Sequence, residues 1–452
     1  MDGEYWNPRT ETWDAESKRR WQLHKLRELV GWAKQTPWWR RRLASVEVES
    51  LRSLDDLRRL PFLTREEIRQ DQEESPPFGA GLTVDPSWAM TRHETSGTSG
   101  RRPLAFLQTR RDWYWGAYAW AQALWGFGIR PQDVVYLAFG YGPFIGFWGA
   151  HYALQLIGCT TVAGGAQPSE ARVRQILATG ATALVATPSY LFRLAEVAQD
   201  LGVDWRTSKL RYLLVAGEPG GNIPSTRDQL EERFLARVGD FIGMTETAGI
   251  AAFTCQRARG YVHIAENYFL EEVIDPKSGE PVPVGELGER VTTAFGLGSY
   301  PIIRYRTGDL VRRLPHSGCD CGRTFDLYHG GILGRVDNLL VIRGVNVHPS
   351  GVEAVVRANP AVREFRVVAE TVQGRDEIRV EWEPYHSLPE GQLASVSREL
   401  AAQLAERHEG LRFAVEAVSP GTLPVWELKA RRVVDRRPPA VSAMGKEEGR
   451  VP

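Results

Sequence analysis

The chain has 452 residues, which is too long for one ordinary hydrophobic core and predicts roughly two or three domains. Its 56 basic and 56 acidic residues balance, so neither nucleic acid nor a membrane surface is indicated as a partner. Four cysteines in so long a chain do not make a disulfide framework. The polar start and the lack of a long apolar run predict a soluble, cytoplasmic protein.

Hydrophobic periodicity predicts helices and strands along the first part of the chain. Apolar residues from Leu23 to Ala33 repeat at helical spacing, and Pro37 ends that helix. Three short apolar runs each precede a turn with Gly or Pro and then a helical pattern such as that of residues 189–200. These runs are residues 134–139, Ala183–Ala186 and Tyr212–Ala216. Strand, turn and helix in repetition predict a parallel α/β sheet.

The pattern changes after Asp337 to that of a small α+β unit. It predicts a helix from about residue 350, strands over 365–370 and 377–382, a helix over 393–406 and a strand over 412–418. The predicted organisation is an N-terminal domain of residues 1–336 and a C-terminal domain of residues 337–437. The tail, residues 438–452, is rich in proline and charge and is predicted to be disordered.

The motifs RYRTGDL, CDCGR and GRVDNLLVIRGVNV follow one another between Arg304 and Val347. Asp309 is predicted at a strand end, where its carboxylate could accept two hydrogen bonds from a ribose diol. Arg335 lies in a Gly-Arg turn, and its planar fork matches phosphate oxygens. Asp337 lies in the polar turn that follows, where a hinge between two folded units is expected. Each motif alone also fits a solvated, arginine-rich hairpin.

Two further segments suit phosphate. In TRHETSGTSGRRP, residues 91–103, small hydroxyl residues and glycines leave backbone N–H groups free to surround an anion. The segment does not match the P-loop pattern, and it also fits a flexible loop. In FIGMTETAG, the Thr245 hydroxyl and the Glu246 carboxylate could hold a phosphate oxygen and, through water, Mg²⁺. An N-cap threonine with an acid in the first helical turn fits equally well.

The cysteines carry a separate signal. Cys255 and His263, together with the Cys319 and Cys321 pair, supply three thiolates and one imidazole, a set that suits tetrahedral Zn²⁺. A C-x-C pair is a weak signal, however, and a histidine in a strand is usually a core or surface group. Cys159 has no such partner and is expected in the core.

Taken together, TSGTSGRRP, AGEPG, GMTE, RYRTGDL, CDCGRT and GRVDNLLVIRGVNVHP occur in the order found in phenylacetate-CoA ligases. The chain resembles this branch of the adenylate-forming superfamily from about Trp38 to about Asp435. The resemblance implies an α/β fold, with a large N-terminal domain of parallel and mixed sheets plus a small, mobile α+β C-terminal domain. It also implies ATP-dependent activation of an aryl or arylacetic acid to an acyl-adenylate, followed by transfer to coenzyme A.

The same resemblance implies roles for individual residues. Lys429 would bridge the carboxylate and the adenylate oxygens, although locally it also fits an ordinary basic run, K-A-R-R. Glu246 would position Mg²⁺, Thr245 and Arg335 would bind phosphate, and Asp309 would hold the ribose. Asp337 would be the hinge, and Gly344 would line the coenzyme A channel. The other implied nucleotide-binding residues are Ser96, Gly97, Thr98, Ser99, Gly100, Arg101, Ala216, Gly217, Glu218, Pro219, Ile242, Gly243 and Met244.

The family builds its aryl-acid pocket from the segment that matches Tyr141, Gly142, Pro143 and Phe144 here, facing Ala216 and Gly217. The aromatic stretch of residues 136–152 would otherwise be ordinary core. Some members of the branch also carry cysteines and a histidine at the positions of the four candidate zinc ligands. This implies a structural Zn²⁺ site with no open position.

The chain departs from the family pattern at four positions. Arg101 replaces a loop lysine, Ile242 an aromatic residue that stacks on adenine, Leu428 a glycine and Asn338 a second hinge acid. None of these removes a group that adenylation requires.

Two alternatives stay open. The acyl group could pass to an amine or a carrier protein, or the chain could be a non-catalytic nucleotide-binding homologue. Retention of Thr245, Glu246, Asp309, Arg335 and Lys429 disfavours the second alternative. The expected partners are a small carboxylic acid, ATP and coenzyme A, and a homodimer is compatible with the sequence.

Overall fold

The computed structural model describes residues 3–95, 102–427 and 429–437, and their fold is mixed α/β, as predicted. The helices are α1 (Pro8–Glu11), α2 (Ala15–Ala33), α3 (Pro37–Arg42), α4 (Arg65–Glu74), α5 (Arg110–Phe127), α6 (Ile145–Ile157), α7 (Ser169–Ala178), α8 (Pro188–Asp200), α9 (Pro224–Phe234), α10 (Pro349–Val356) and α11 (Glu390–Arg407). The strands are β1 (Ala89–Glu94), β2 (Ala105–Thr109), β3 (Val134–Leu137), β4 (Thr160–Ala163), β5 (Ala183–Ala186), β6 (Tyr212–Ala216), β7 (Arg237–Gly243), β8 (Ile250–Phe253), β9 (Tyr261–Ile264), β10 (Phe269–Ile274), β11 (Leu287–Ala294), β12 (Ile302–Leu314), β13 (Leu327–His329), β14 (Gly334–Arg335), β15 (Leu340–Ile342), β16 (Val345–Val347), β17 (Val362–Val372), β18 (Arg375–Pro384), β19 (Ala414–Ala417) and β20 (Val433–Asp435).

Strands β3 to β14 form one large sheet, twelve-stranded within the described residues. Its order is β10-β11-β12-β13-β9-β8-β7-β6-β5-β3-β4, with β14 paired to β12. Strands β4, β3, β5, β6 and β7 run parallel, which confirms the predicted parallel sheet. The other pairings are antiparallel, and the periodicity analysis did not predict them. Because the carboxyl ends of parallel strands lie along one edge, the turns after β3, β5, β6 and β7 share that edge.

Capped helices cover this sheet. α5 begins with a capping box in which Thr109 and Asp112 satisfy each other's backbone N–H groups, and it ends at Gly128 with φ +113°. Trp120 and Phe127 from α5 pack on Phe241 of β7 in one core cluster. A second cluster, including Leu194 of α8, is built on other side chains of β5 and β6.

The described chain divides into two compact units. Among the described residues, the first unit comprises those up to Asn338 together with those of Val425–Ala430, and the second comprises Leu339–Pro424 together with residues 431–437. In the second unit, β19-β18-β17-β20 form a sheet whose apolar side chains pack with those of α10 and α11, and β15 and β16 form a hairpin. The division after Asn338 lies two residues beyond the boundary predicted from sequence. The predicted tail, residues 438–452, lies outside the described residues.

Asp309 lies inside a strand rather than at a strand end. The predicted strand stopped near Arg306, whereas β12 continues to Leu314. Gly308 has φ +75°, and the register with β11 shifts at Glu289–Val291, so the chain bends at this point without leaving the sheet. The Thr-Gly pair therefore marks an irregularity within a strand and not a turn after it.

None of the described helices combines the length and the apolar character that crossing a membrane requires.

Gly116 of α5 allows a close approach between this helix and the turn that carries Thr245. A Cβ at Gly116 would lie 2.2 Å from the backbone oxygen of Ala248. We expect Gly116→Ala to lower stability by about 1–3 kcal/mol, because backbone must move to admit the methyl group. Gly146→Ala in α6 is the matched control, because a Cβ there meets nothing within 4 Å. Thermal unfolding of both variants checks this, and equal melting temperatures would contradict it.

Candidate functional site

The predicted phosphate loop, Ser96, Gly97, Thr98, Ser99, Gly100 and Arg101, lies outside the described residues. Its two ends are described, and they belong to the antiparallel pair β1 and β2, in which Glu94 faces Ala105. Thr95 is buried, and its hydroxyl accepts a hydrogen bond from the backbone N–H of Leu104 at 3.0 Å. The two strands on either side of these residues in the chain are therefore paired with each other.

The turn after β6 contains the predicted residues Ala216, Gly217, Glu218 and Pro219. Gly217 has φ +95°, a conformation that favours glycine. The Glu218 carboxylate accepts hydrogen bonds from two backbone N–H groups, that of Ser189 at 2.7 Å and that of Ala430 at 2.9 Å. This carboxylate therefore holds both the start of α8 and the residue that follows Lys429.

Lys429 lies next to this turn. A Cβ built on Gly217 would be 3.1 Å from Cε and 3.6 Å from Nζ of Lys429. Solvent still reaches the side chain. Desolvation lowers the pKa of Lys429, and the carboxylates of Glu218 and Glu246 oppose that shift. The structure thus brings the predicted lysine together with residues of both the β6 turn and the Thr-Glu motif.

Thr245 and Glu246 lie in a single 3-10 turn that follows β7. The Glu246 carboxylate is buried and accepts a hydrogen bond from the Tyr305 hydroxyl at 3.1 Å. Sequence analysis did not identify Tyr305 as part of the site, although it is the tyrosine of the RYRTGDL motif. Its hydrogen bond fixes the position of the Glu246 carboxylate.

Three other predicted nucleotide-binding residues precede that turn. Ile242 is buried and packs in an apolar cluster with Val262 and Tyr328, whereas Gly243 is exposed and Met244 is half-buried. The Met244 sulfur lies 3.9 Å from a guanidinium nitrogen of Arg290. At Ile242, where an aromatic residue is common in the family, the chain has an aliphatic side chain within the core.

Asp309 and Arg335 face each other because β14 pairs with β12 in that register. Arg335 Nη1 donates to Asp309 Oδ1 at 3.0 Å, while Nε and Nη2 donate to the two oxygens of Asp337 at 2.8 and 3.1 Å. Burial raises the pKa of Asp309, and the charges of Arg335 and Arg290 oppose that rise. The ribose, phosphate and hinge candidates therefore share one guanidinium.

Arg290 is a site residue that sequence analysis missed. It is fully buried on β11, and it donates to both oxygens of Glu271 at 2.8 and 2.7 Å. Glu271 also accepts hydrogen bonds from Tyr328 and Thr292, at 2.9 and 2.7 Å. An Arg290 nitrogen lies 3.9 Å from Asp309 Oδ2, so a second positive charge faces the Asp309 carboxylate from within the sheet. The GER triplet that contains Arg290 gives no local sign of this role.

The predicted acyl-pocket residues follow β3. Tyr141 is half-buried, Phe144 is 37% exposed, and Gly142 and Pro143 lie between them. Tyr141 and Ala216 pack on the same core cluster, as half-buried side chains. The Tyr141 hydroxyl lies 2.8 Å from Nδ1 of His151, a residue of the same aromatic stretch that was not identified from sequence.

The aromatic rings of this segment pack on one another. The ring centroids of Phe139 and Phe147 are 3.5 Å apart, and those of Tyr141 and Trp148 are 4.6 Å apart. The Trp148 indole N–H donates to the Gly142 carbonyl at 2.9 Å. Burial raises the pKa of Tyr141 to about 12 and lowers that of His151, so both groups are neutral at physiological pH. The segment therefore contains a neutral hydrogen-bonded pair, Tyr141 and His151, among packed aromatic rings.

The four candidate metal ligands converge. One donor atom from each of Cys255, His263, Cys319 and Cys321 lies within 4.8 Å of all the others. Cys255 and Cys319 Sγ are 3.7 Å apart, close to the separation of about 3.8 Å that two thiolates have in a tetrahedral zinc site with bonds of about 2.3 Å. His263 Nε2 lies 3.3 Å from Cys321 Sγ, while Nδ1 lies 3.3 Å from the Phe325 carbonyl oxygen, which can orient the ring. These donors fit Zn²⁺.

Asp337, which is 63% exposed, joins the site through its contact with Arg335. One predicted residue, Gly344, and one cysteine, Cys159, do not join these groups. Gly344 belongs to the second unit, where it forms the turn between β15 and β16 with φ +84°. Cys159 is buried in the core, away from the metal-ligand cluster, and its thiol donates to the Arg130 carbonyl at 3.2 Å.

Comparison with known families identifies both parts of the chain. Residues 53–293 match the family described as AMP-binding enzyme, and residues 344–437 match the AMP-binding enzyme C-terminal domain. The chain is 34% identical to the phenylacetate-coenzyme A ligase of Thermus thermophilus, over 96% of this chain and 99% of that protein.

Solved structures agree. The crystal structure of 2-hydroxyisobutyryl-CoA ligase in the postadenylation state, bound to its acyl-AMP, is 32% identical with a TM-score of 0.91. The similarity covers 96% of this chain and 93% of that one. The same enzyme in complex with the acyl-AMP and coenzyme A, in the thioesterification state, has a TM-score of 0.73 at 32% identity, covering 97% of this chain and 93% of that one.

Proposed function

The chain belongs to the phenylacetate-CoA ligase branch of the AMP-binding enzymes, and we propose that it joins a carboxylic acid to coenzyme A through an acyl-adenylate. The observation that carries this proposal is the position of Lys429 beside the β6 turn, close to the charge of Glu246. An ammonium group next to a turn of exposed and half-buried backbone suits a site where negative charge must be neutralised.

In the first half-reaction, a carboxylate oxygen of the acid forms a bond to the α-phosphorus of ATP, and pyrophosphate leaves. Lys429 would hold the two reacting anions together, because its ammonium offsets their mutual repulsion. Thr245 and Arg335 would bind phosphate oxygens. Glu246 and Thr245 offer the hard oxygen donors that suit Mg²⁺, which when bound would neutralise phosphate charge.

Asp309 would accept hydrogen bonds from the ribose hydroxyls. A buried carboxylate does this best when ionised, and Arg290 and Arg335 favour that form. If Arg335 binds a phosphate group, Arg290 would still lie near Asp309, because Arg290 belongs to a strand of the sheet. Arg290 would therefore continue to favour the ionised form of Asp309 when Arg335 contacts phosphate.

In the second half-reaction, the coenzyme A thiolate would attack the acyl carbon, and AMP would leave. We propose that Asp337 acts as the hinge between a domain of residues 1–336 and a mobile domain of residues 337–437, and that Gly344 borders the thiol channel. The bidentate contact of Arg335 with Asp337 supports this, because the residue proposed for phosphate binding also contacts the proposed hinge. Because both co-substrates are cytoplasmic metabolites, we propose that the protein acts in the cytoplasm.

The acid is proposed to be an aryl or arylacetic acid, held by Tyr141, Gly142, Pro143 and Phe144 opposite Ala216 and Gly217. A second candidate is a compact acid with a hydroxyl substituent. The self-packing of the aromatic rings and the neutral Tyr141–His151 pair favour it, because stacked rings leave less room for another ring. The similar 2-hydroxyisobutyryl-CoA ligase acts on an acid of that kind.

Pyrophosphate release tests the proposed function. The purified protein is supplied with MgATP and phenylacetate, benzoate, 2-hydroxyisobutyrate or isobutyrate, with and without coenzyme A. We expect acid-dependent pyrophosphate release, and thioester only when coenzyme A is present. The last two acids differ by a hydroxyl group alone, so their ratio reports on the Tyr141–His151 pair. Binding of ATP with no acid-dependent turnover would instead favour the non-catalytic alternative.

Lys429→Ala should lower acyl-adenylate formation by about 10²–10³-fold, because it removes a charge that acts on the anionic transition state. The reaction of pre-made acyl-AMP with coenzyme A should stay nearly unchanged. Arg431→Ala is the control, since it removes an exposed positive charge from the same basic run. Single-turnover assays of each half-reaction measure the effect. Equal loss in both half-reactions would contradict the assigned role.

We also propose that Cys255, His263, Cys319 and Cys321 bind one structural Zn²⁺, which when bound contributes folding energy directly. The double variant Cys319→Ser, Cys321→Ser should lose about one Zn²⁺ per chain and unfold at a lower temperature. Cys159→Ser, which removes a buried thiol outside the cluster, should keep its zinc. Metal analysis and thermal unfolding give the two readouts. Wild-type protein that is purified without chelators and contains no zinc would disprove the site.

A further inference from the structure

The segment that carries Lys429 has little regular structure of its own. Val425–Ala430 groups with the first unit, whereas the chain on both sides of it, up to Pro424 and from Arg431, groups with the second. None of the described residues between 424 and 431 belongs to a helix or a strand. Glu218 accepts a hydrogen bond from the backbone N–H of Ala430 within this segment. The rest of this backbone is positioned by what holds its two ends, because no helix or strand hydrogen bonds fix it from within.

A buried carboxylate, Glu383 of β18, holds the chain just before this segment. Its Oε1 accepts from the backbone N–H of Gly421 at 2.9 Å, and its Oε2 accepts from that of Leu423 at 2.6 Å. Arg363 also donates to Oε1, at 2.8 Å. Glu383 has no solvent exposure, and Leu423 is 3% exposed. Charge-assisted hydrogen bonds to a buried acceptor are the strong kind, so this end is well fixed.

A second buried carboxylate, Glu364 of β17, holds the chain just after the segment. The Arg432 guanidinium donates to its two oxygens at 2.7 and 3.1 Å. Burial opposes ionisation of Glu364, but the charges of Arg357 and Arg432 lower its pKa to about 2, so it remains a carboxylate. The Arg432 carbonyl accepts from the backbone N–H of Val367 at 2.7 Å, where β20 begins to pair with β17.

The two carboxylates are neighbours in the sheet of the second unit. Glu364 lies directly opposite Glu383 across the β17–β18 pair. Like charges in that position repel unless they are neutralised. Here Arg363 neutralises one, and Arg357 and Arg432 neutralise the other. The entry and the exit of the lysine segment are therefore attached to one compact cluster of buried charge.

We infer that Glu383 and the Glu364–Arg432 pair are positioning residues for Lys429, because they set where the lysine segment leaves and re-enters the second unit. They do not touch the reacting groups, and their effect is exerted through the position of the ammonium group. The inference rests on the proposed role of Lys429 in adenylation. It predicts that loosening either attachment impairs the lysine-dependent half-reaction selectively.

Glu383→Gln is the sharpest test, because the amide keeps the shape and one oxygen but cannot accept at its nitrogen. One of the two backbone N–H groups then loses its partner. We expect acyl-adenylate formation to fall about 10–100-fold, the effect of misplacing a catalytic group by roughly 1 Å. Thioester formation from pre-made acyl-AMP should stay within about twofold, because the same misplacement affects no group that acts in that step. Arg432→Lys, which ends the bidentate contact, should give the same pattern.

Glu381→Gln is the matched control. Glu381 lies two residues away on β18, is also buried, and pairs with Arg366. Within the described part of the chain, it accepts no backbone hydrogen bond from the residues that flank the lysine segment. Glu381→Gln should change neither half-reaction selectively. The ratio of the two single-turnover rates is the readout, since general destabilisation moves both rates together.

The outcomes are separable. If Lys429→Ala loses only adenylation while Glu383→Gln and Arg432→Lys slow both half-reactions equally, or neither, the positioning role is wrong and the proposed function stands. If Lys429→Ala itself slows both equally, the proposed lysine role fails and the inference falls with it. Selective loss of adenylation in both anchor variants, with Glu381→Gln unchanged, supports the inference.

Discussion

Neutralisation of buried charge is the constraint on which this structure depends. Asp309, Glu271 and Glu246 are removed from water to different extents, and an isolated carboxylate in such surroundings would become protonated. Arg290 satisfies Glu271 and faces Asp309, while the Tyr305 hydroxyl satisfies Glu246. Tyr305 and Arg290 are not among the residues proposed to bind the nucleotide, yet they contact or face two carboxylates that are, Glu246 and Asp309.

The same constraint explains why one arginine serves several partners. Arg335 contacts Asp309 and Asp337 through different nitrogens, so a competing phosphate would change the surroundings of both carboxylates at once. Opposing effects act on the pKa of Lys429, because desolvation lowers this pKa while the carboxylates of Glu218 and Glu246 raise it. Both cations of the proposed site, Arg335 and Lys429, therefore lie near carboxylates of the described chain.

Local patterns account for a large part of the fold and for the chemistry of the site. Short apolar runs followed by turns predicted β5 and β6 with their observed bounds, because strands buried in a parallel sheet are apolar on both faces. The predictions for the second unit also fall within β17, β18 and α11, although each element extends further than predicted. By contrast, β8 to β11, β13 and β14 were not predicted, and β12 was predicted only as far as Arg306. Asp309 was misplaced because the Thr-Gly pair before it is typical of a turn, whereas here it lies within the strand.

The sequence by itself determined the family and the types of group at the site, because motifs such as RYRTGDL and GMTE carry their hydroxyl, carboxylate and guanidinium groups at short, fixed spacing. Only the tertiary structure decided which distant groups meet. Cys255 reaches Cys319 across 64 residues, Tyr305 reaches Glu246 across 59, and Arg290 reaches Asp309 through the register of β11 on β12. Such contacts depend on strand order and register. These are set by packing of the whole sheet, so the sequence around either residue alone does not reveal the contact.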